Sequence, residues 1–167
     1  MYPAGVLDRA RRVRLVAFDV DGVFTDGRLY FGRDGEALKV FDVRDGHGVK
    51  CLAEAGIATA VISGRSSPIV SVRMAELGVP HVYQGCREKL PFFESLCATL
   101  GIACEEAAYV GDDEPDLPVL RRAGLAIAVQ DAHPDVAAVA HWCTRNPGGR
   151  GAVREVADLL LAARGGG

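Results

Sequence analysis

Lysine is scarce in this sequence of 167 residues, where it occurs only at positions 39, 50 and 89. In an arginine-rich background, a remaining lysine marks a position that needs a compact ammonium group, unless its presence is chance. A surplus of positive charge is also lacking, because the formal net charge is -3 at pH 7. This balance disfavours a nucleic-acid binder, which needs excess Lys and Arg to contact phosphates. It does not disfavour a pocket that binds a small anion through local charge.

Long apolar runs and paired cysteines are missing too. No segment approaches the roughly 20 apolar residues of a membrane-spanning helix, and residues 1–12 contain no apolar stretch typical of a secretion signal. The five cysteines have neither CxxC spacing nor a nearby His in a zinc pattern. These absences predict a cytoplasmic protein with no membrane contact, whose thiols are reduced and buried or half-buried.

Short apolar runs alternate with amphipathic stretches of helical length. Strands are predicted at residues 13–20, 58–62, 81–83, 107–110 and 125–129, and helices at 46–55, 68–77, 89–100, 115–123, 134–140 and 151–163. This alternation predicts an α/β fold, a three-layer Rossmann-like parallel sheet with helices on both faces. We expect one domain over residues 1–167, with a core at about 13–163 and a disordered tail at 164–167.

One segment after the first predicted strand breaks the alternation. Residues 28–31 and 37–43 are rich in β-formers and flank Gly-Arg-Asp-Gly at 32–35. Asp-Gly between two such runs predicts a β-hairpin, which here can overhang a pocket at the sheet edge as a flap. Its aromatic residues Tyr30 and Phe31 favour a subunit interface, and the alternative is a plain surface hairpin.

Acidic residues cluster after two of the predicted strands. Asp19 and Asp21 end the first strand, where residues two apart point to the same side and their carboxylates repel each other. The second cluster follows residues 107–110 and contains Asp112, Asp113, Glu114 and Asp116. Ligands of such sheets bind at the carboxyl ends of strands, and Mg²⁺ prefers carboxylate oxygens. A divalent cation at Asp19, Asp21 and Asp112 is therefore predicted, whereas Asp113 and Glu114 are better explained as helix-capping acids.

A hydroxyl and a lysine give two weaker signals. Ser63 and Gly64 follow the strand at 58–62, where a hydroxyl and main-chain amides can donate to a phosphoryl oxygen, although most Ser-Gly pairs are simple turns. Lys89 begins a predicted helix, although cations are usually placed at the other end of a helix. Taken alone, Lys89 would be interpreted as a solvated surface residue.

Together the four groups resemble the motifs of the haloacid dehalogenase superfamily of phosphotransferases, in that family's order. Residues 19–27, 43–46, 64–70, 83–85, 131–134 and 147–155 further resemble the 3-deoxy-D-manno-octulosonate 8-phosphate phosphatases, and the match covers about residues 14–161. Two small departures are Ser63, where that family usually has Thr, and Asp42, where Asn is common. Neither departure removes a catalytic group.

The resemblance implies Mg²⁺-dependent hydrolysis of 3-deoxy-D-manno-octulosonate 8-phosphate in the synthesis of lipopolysaccharide precursors. It makes Asp19 the nucleophile, which forms an aspartyl-phosphate, and Asp21 the general acid and then the general base. Mg²⁺ is held by Asp19, Asp112 and the main-chain carbonyl of Asp21. Ser63 and Lys89 bind the phosphoryl oxygens.

The resemblance also implies supporting and substrate-binding residues. Asp116, together with Asp113, orients metal-bound water or Lys89. The implied substrate contacts are Asp21, Asp42, Val43, Arg44, Asp45, Gly46, Lys50, Arg65, Arg73 and Lys89. Lys50, Arg65 and Arg73 suit a sugar that carries a carboxylate and a phosphate, and the alternative for Arg73 is a solvated helix residue.

The chain leaves no room for the cap domain that many members of the superfamily insert, so a neighbouring subunit has to cover the site. The resemblance implies a homotetramer in which the hairpins pack together and Arg150 lies near an adjacent subunit's site, although residues 147–151 can also be a plain turn. Three other functions stay open. They are a phosphatase for N-acylneuraminate or other nonulosonate 9-phosphates, a phosphomutase or phosphotransferase, and a non-catalytic sugar-phosphate-binding protein.

Overall fold

A six-stranded parallel sheet lies at the centre of residues 1–165, the part of the chain that the computed structural model describes. Its strand order is β5-β4-β1-β6-β7-β8, and a separate antiparallel hairpin is formed by β2 and β3. The strands are β1 Leu15–Phe18, β2 Tyr30–Gly32, β3 Gly35–Leu38, β4 Ala58–Ile62, β5 His81–Tyr83, β6 Ala107–Gly111, β7 Leu125–Ala128 and β8 Trp142–Cys143. Strand β8 was not predicted, because two residues are too short for a periodic pattern.

Helices cover both faces of this sheet and confirm the predicted three-layer α/β fold. They are α1 Ala4–Ala10, α2 Val43–Glu54, α3 Pro68–Leu77, α4 Leu90–Leu100, α5 Leu117–Arg122, α6 Pro134–Val139 and α7 Ala152–Gly165. Val16 and Phe18 of β1 belong to the core that packs against α1, α2, α3 and α7. Leu15 and Ala17 point to the opposite core, formed with α4, α5 and α6. Strand β1 is thus buried on both faces, as a central parallel strand requires.

Helix α1 lies outside the expected core of residues 13–163. The residue preceding it is Pro3, which provides no side-chain cap, so the usual sequence signal for a helix start is missing. Val6 and Ala10 are nevertheless buried against the core that includes α7. The core of the protein therefore begins before residue 13.

The last helix also differs from the expectation of a disordered tail at 164–167. Helix α7 runs to Gly165, so residues 164 and 165 are ordered, and residues 166 and 167 lie outside the described residues. The guanidinium of Arg164 donates hydrogen bonds to the main-chain carbonyls of Ala55 (2.5 Å) and Val13 (3.2 Å). These bonds tie the end of α7 to the body of the protein.

The hairpin is present but shorter than predicted. Its second strand ends at Leu38 rather than at residue 43. Helix α2 already begins at Val43, and the side chain of Asp42 caps it by accepting a hydrogen bond from the main-chain amide of Arg44. The hairpin and its flanks expose five large apolar residues, which are Leu29, Tyr30, Phe31, Leu38 and Val40.

The cysteines agree in part with the expectation of reduced, buried or half-buried thiols. All five cysteines are unpaired within residues 1–165, but only Cys86, Cys97 and Cys104 are buried, and Cys143 is exposed. Within the same residues, no helix combines the length and apolar character needed to cross a membrane.

Strand order fixes where a site can form. The chain leaves β1 toward β4 and β5 on one side, and returns later to place β6 on the other side of β1. Between β1 and β6 the order therefore reverses, and in such sheets a crevice opens outside the carboxyl ends of the two strands.

Candidate active site

Loops from four parts of the fold meet in the crevice beyond β1 and β6. The pocket there is lined by Asp19, Asp21, Ser63, Gly64, Arg65, Lys89, Asp112, Asp113, Pro115 and Asp116. Residues 19 and 21 follow β1, residues 63–65 follow β4, Lys89 precedes α4, and residues 112–116 follow β6. The structure thus brings together all of the residues predicted to act on a phosphoryl group.

Lys89 is the buried cation of this pocket. Its ammonium lies 2.9 Å from Oδ1 of Asp19 and 2.8 Å from Oδ1 of Asp116. Burial opposes the charge of Lys89, but the two carboxylates outweigh burial and raise its pKa. Lys89 is therefore not the solvated surface residue that it would be taken for on its own.

Asp116 holds this arrangement in place. Its Oδ1 accepts hydrogen bonds from Lys89 (2.8 Å) and from the hydroxyl of the buried Tyr109 (2.7 Å). Its Oδ2 accepts from the main-chain amides of Asp112 (3.0 Å) and Asp113 (3.3 Å). With both oxygens engaged, Asp116 positions Lys89 and the loop after β6. Sequence reasoning missed Tyr109, since a tyrosine inside a buried strand carries no functional signal.

Asp19, Asp112 and Asp116 form a carboxylate cluster with ligand atoms within 4.8 Å of one another. Burial, followed by the charge of Asp116, raises the pKa of Asp19 to about 6. Burial, followed by the charge of Asp19, raises the pKa of Asp112 to about 9. The three carboxylates of the cluster thus outnumber the one ammonium of Lys89, and a divalent cation with oxygen preference fits the cluster. Both oxygens of Asp116 are engaged, so Asp19, which contacts Lys89 through Oδ1, and Asp112 are the carboxylates better placed to bind one.

Gly22 makes room for this cluster. It has φ of 92°, which favours glycine, and a Cβ at this position would collide with the carboxylate of Asp112. The turn after β1 thus brings its backbone against the acid that follows β6.

Asp21 has a different set of partners from Asp19. Its Oδ1 accepts a hydrogen bond of 2.5 Å from the ammonium of Lys39 on the flank of the hairpin, and its Oδ2 lies 3.8 Å from Nε of Arg65. Lys39 also pairs with Glu36 of β3. Sequence reasoning did not place Lys39 or Glu36 in the site, although the scarcity of lysine was a signal for Lys39.

Asp113 caps the 3₁₀ turn Glu114–Asp116, because its carboxylate accepts a hydrogen bond of 2.8 Å from the amide of Glu114. This observation supports the interpretation of Asp113 as a capping acid. Asp113 also lines the pocket, so its predicted orienting role stays a prediction.

The start of α2 has structural roles that the resemblance did not suggest. Asp42 caps the helix and pairs with Arg44. Asp45 is fully buried, and its carboxylate accepts hydrogen bonds from the amides of Gly151 (3.3 Å) and Arg154 (2.8 Å) at the start of α7. A substrate contact through Asp45 is inconsistent with this burial, and the neighbouring Gly46 is buried as well.

Lys50 and Arg73 lie away from the carboxylate cluster. They line a second depression with Val43, Gly46, His47, Glu76 and Leu77. Arg73 pairs with Glu76 at 2.9 Å and lies over the ring of Phe41, so it is more than a solvated helix residue. Arg150 lies in a third depression near Asp26. The substrate contacts of Lys50 and Arg73 and the role of Arg150 stay predictions.

Comparison with known proteins gives the class first. A family model described as haloacid dehalogenase-like hydrolase matches residues 81–155. The 3-deoxy-D-manno-octulosonate 8-phosphate phosphatase KdsC of Escherichia coli strain K12 is 51% identical over 162 residues, which is 97% of this chain and 86% of the relative.

Solved structures agree with the sequence relatives. The 3-deoxy-D-manno-octulosonate 8-phosphate phosphatase of Yersinia pestis superimposes with a TM-score of 0.95 at 48% identity, over 97% of this chain and 88% of that one. The Moraxella catarrhalis enzyme of the same name, in complex with a magnesium ion, a phosphate ion and KDO, gives 0.95 at 40% identity, over 98% and 94%. The fold is that of a haloacid dehalogenase-like hydrolase. Within that class, the chain belongs to the 3-deoxy-D-manno-octulosonate 8-phosphate phosphatase family.

Proposed function

We propose that this chain hydrolyses 3-deoxy-D-manno-octulosonate 8-phosphate to 3-deoxy-D-manno-octulosonate and phosphate, a step in making lipopolysaccharide precursors. The observation that carries the proposal is the buried carboxylate of Asp19, held by Lys89 at 2.9 Å in the crevice between β1 and β6. The phosphate and KDO bound in the Moraxella catarrhalis relative support the same chemistry.

Asp19 acts as the nucleophile in this proposal. A carboxylate oxygen of Asp19 bonds to phosphorus as the bond between phosphorus and the sugar oxygen breaks, and Asp21 gives its proton to the departing oxygen. Asp21 then takes a proton from the water that attacks the aspartyl-phosphate, which releases phosphate and restores Asp19. Lys89 and the hydroxyl of Ser63 donate to the phosphoryl oxygens, whose charge must be neutralised during transfer.

Asp19, Asp112 and the main-chain carbonyl of Asp21 would hold Mg²⁺. When bound, Mg²⁺ offsets the repulsion between an anionic carboxylate and an anionic phosphate. The raised pKa values of Asp19 and Asp112 support a cation here, because burial and neighbouring carboxylates disfavour the charged form of both acids.

The proposed assembly is a cytoplasmic homotetramer with the hairpins packed against one another. The exposed apolar residues of the hairpin, such as Phe31 at 64% exposure, support a contact there. The unpaired cysteines support a reducing compartment. In this assembly, Arg150 approaches the site of an adjacent subunit.

The test is phosphate release from a panel of sugar acid phosphates, with Mg²⁺ and with EDTA. The proposal expects the octulosonate 8-phosphate to be preferred, release to depend on Mg²⁺, and Asp19→Asn to be inactive. Preference for a nonulosonate 9-phosphate would replace the substrate and keep the mechanism. Absence of release from every member of the panel would favour a binding protein.

A further inference from the structure

The hairpin directs one buried lysine toward the acid that is proposed to protonate the leaving group. We propose that Lys39 is a positioning residue for Asp21, and that Glu36 and Ser67 hold Lys39 in place. This inference rests on the proposed phosphatase function, because it assigns a role to Lys39 through the chemistry of Asp21.

The contacts of Lys39 are short and shielded from water. Its side chain is only 2% exposed, and its ammonium lies 2.5 Å from Oδ1 of Asp21 and 2.7 Å from Oε1 of Glu36. A lysine buried this deeply is stable only where opposite charges surround it. Both of its partners are carboxylates, so the group is a built ion pair rather than an accidental surface contact.

The contact leaves Asp21 one oxygen for chemistry. Because Oδ1 is taken by Lys39, the orientation of the carboxylate is fixed, and Oδ2 lies toward Arg65, which also lines the pocket. A general acid must lie within hydrogen-bond reach of the oxygen that it protonates. Fixing one oxygen of Asp21 therefore fixes where the other can deliver its proton.

Glu36 connects this pair to the body of the fold. Its second carboxylate oxygen accepts a hydrogen bond of 2.5 Å from the hydroxyl of Ser67, the residue that precedes α3. The amide of Ser67 donates to the side chain of Gln84 at 2.8 Å. The chain of contacts thus runs from Asp21 through the hairpin to α3, and it braces a hairpin that is otherwise rich in exposed residues.

Asp19 and Asp21 are supported in the same way. Asp19 contacts Lys89, which is held by Asp116, and Asp21 contacts Lys39, which is held by Glu36. Two of the three lysines of the chain are used for this purpose. Each of these two positions needs a compact ammonium between two carboxylates, which explains why lysine is present there in a chain with few lysines.

The dependence of the rate on the leaving group distinguishes a misplaced general acid from a general loss of activity. An alkyl leaving group such as a sugar needs protonation, whereas p-nitrophenyl phosphate releases a stable phenolate that does not. We expect Lys39→Met to lower the first-turnover rate of leaving-group release from the preferred sugar phosphate about 10- to 100-fold, and to lower the same rate for p-nitrophenyl phosphate far less. Asp21→Asn gives the loss expected when the general acid is absent, and Lys39→Arg should lose less activity than Lys39→Met.

Matched variants keep the test decisive. Arg33→Met removes a cation from the exposed turn of the same hairpin and should behave as wild type. If Lys39→Met does not fold, Glu36→Gln carries the test, and a smaller loss with the same leaving-group dependence is expected. An equal loss on both substrates, or no loss, would overturn the inference. A wild-type protein inactive on both substrates would instead contradict the proposed function.

Discussion

At the scale of single residues, charge balance decides the character of the site. Asp19 and Asp21 each pair with a buried lysine side chain, whereas no cation of residues 1–165 pairs with Asp112, whose pKa is raised to about 9. The site therefore lacks a positive charge beside Asp112. Metal binding and pH should act on the same residue.

The stability of the metal-free protein should fall as pH rises from about 7 to about 9. The folded protein keeps the proton of Asp112 up to about pH 9, while the unfolded chain loses it near 3.8. The folded state then binds more protons than the unfolded state, so its stability is full at low pH and declines through the folded-state pKa. Thermal unfolding in EDTA measures this decline, and stabilisation by Mg²⁺ should grow over the same range.

Asp112→Asn provides the control for that measurement. Its unfolding temperature in EDTA should depend less on pH, and Mg²⁺ should stabilise it weakly. An unfolding temperature of the wild type that stays constant or rises between these pH values would contradict the assignment of Asp112.

Gly22→Ala should weaken Mg²⁺ binding although residue 22 offers no ligand side chain. A methyl group there collides with the carboxylate of Asp112, so the Mg²⁺ concentration at half-maximal activity should rise about 10-fold or more. Gly56→Ala is the matched control, because Gly56 also has positive φ (75°) but has open space around its Cβ position. Equal effects of the two substitutions would show that backbone strain alone is responsible.

At the scale of elements, the sequence predicted what periodicity and strand-end chemistry can encode. The central strands, helices α3 and α4 and the convergence of Asp19, Ser63 and Asp112 follow from apolar runs that end in polar residues, whereas Lys89 was placed in the site by the family resemblance. Helix α1 lacked a capping signal, and β8 was too short for a pattern. The partners Lys39, Glu36 and Tyr109 depend on contacts between distant segments, which a local pattern cannot show.

Asp45 offers a test of structural against substrate-binding roles. Its carboxylate caps the start of α7 from α2, so Asp45→Ala should lower the free energy of unfolding by about 2 kcal/mol and leave KM nearly unchanged. Urea unfolding and steady-state kinetics measure the two effects. Asp158→Ala removes an exposed acid that pairs with Arg154, and it should cost less than about 1 kcal/mol. A large rise in KM with an unchanged free energy of unfolding would instead support a substrate contact of Asp45.

At the scale of the whole molecule, the proposed assembly links the pocket to the exposed apolar residues of the hairpin. Residues 1–165 form no cap domain, and Phe31 is among the exposed apolar residues that an association of subunits would cover. Covering the hairpin and completing the site would then be the same event.

Phe31→Glu should therefore break the assembly and reduce activity together. A charge in an apolar contact is costly when it is desolvated, so sedimentation should show smaller species and kcat/KM should fall. Val72→Glu is the matched control, because Val72 is similarly exposed (70%, against 64% for Phe31) and lies on α3 rather than on the hairpin. Wild-type protein that sediments as a monomer with full activity would contradict the tetramer.

The central claim is that the side chain of Asp19 carries the phosphoryl group. Acid quenching of Asp21→Asn during reaction with Mg²⁺ and p-nitrophenyl phosphate, whose leaving group needs no proton, followed by peptide mass spectrometry, tests it most directly. Without its general base, the protein should accumulate phosphate on the peptide that contains Asp19, and Asp19→Asn should show none. Phosphate on another residue, or continued phosphate release by Asp19→Asn, would contradict the account.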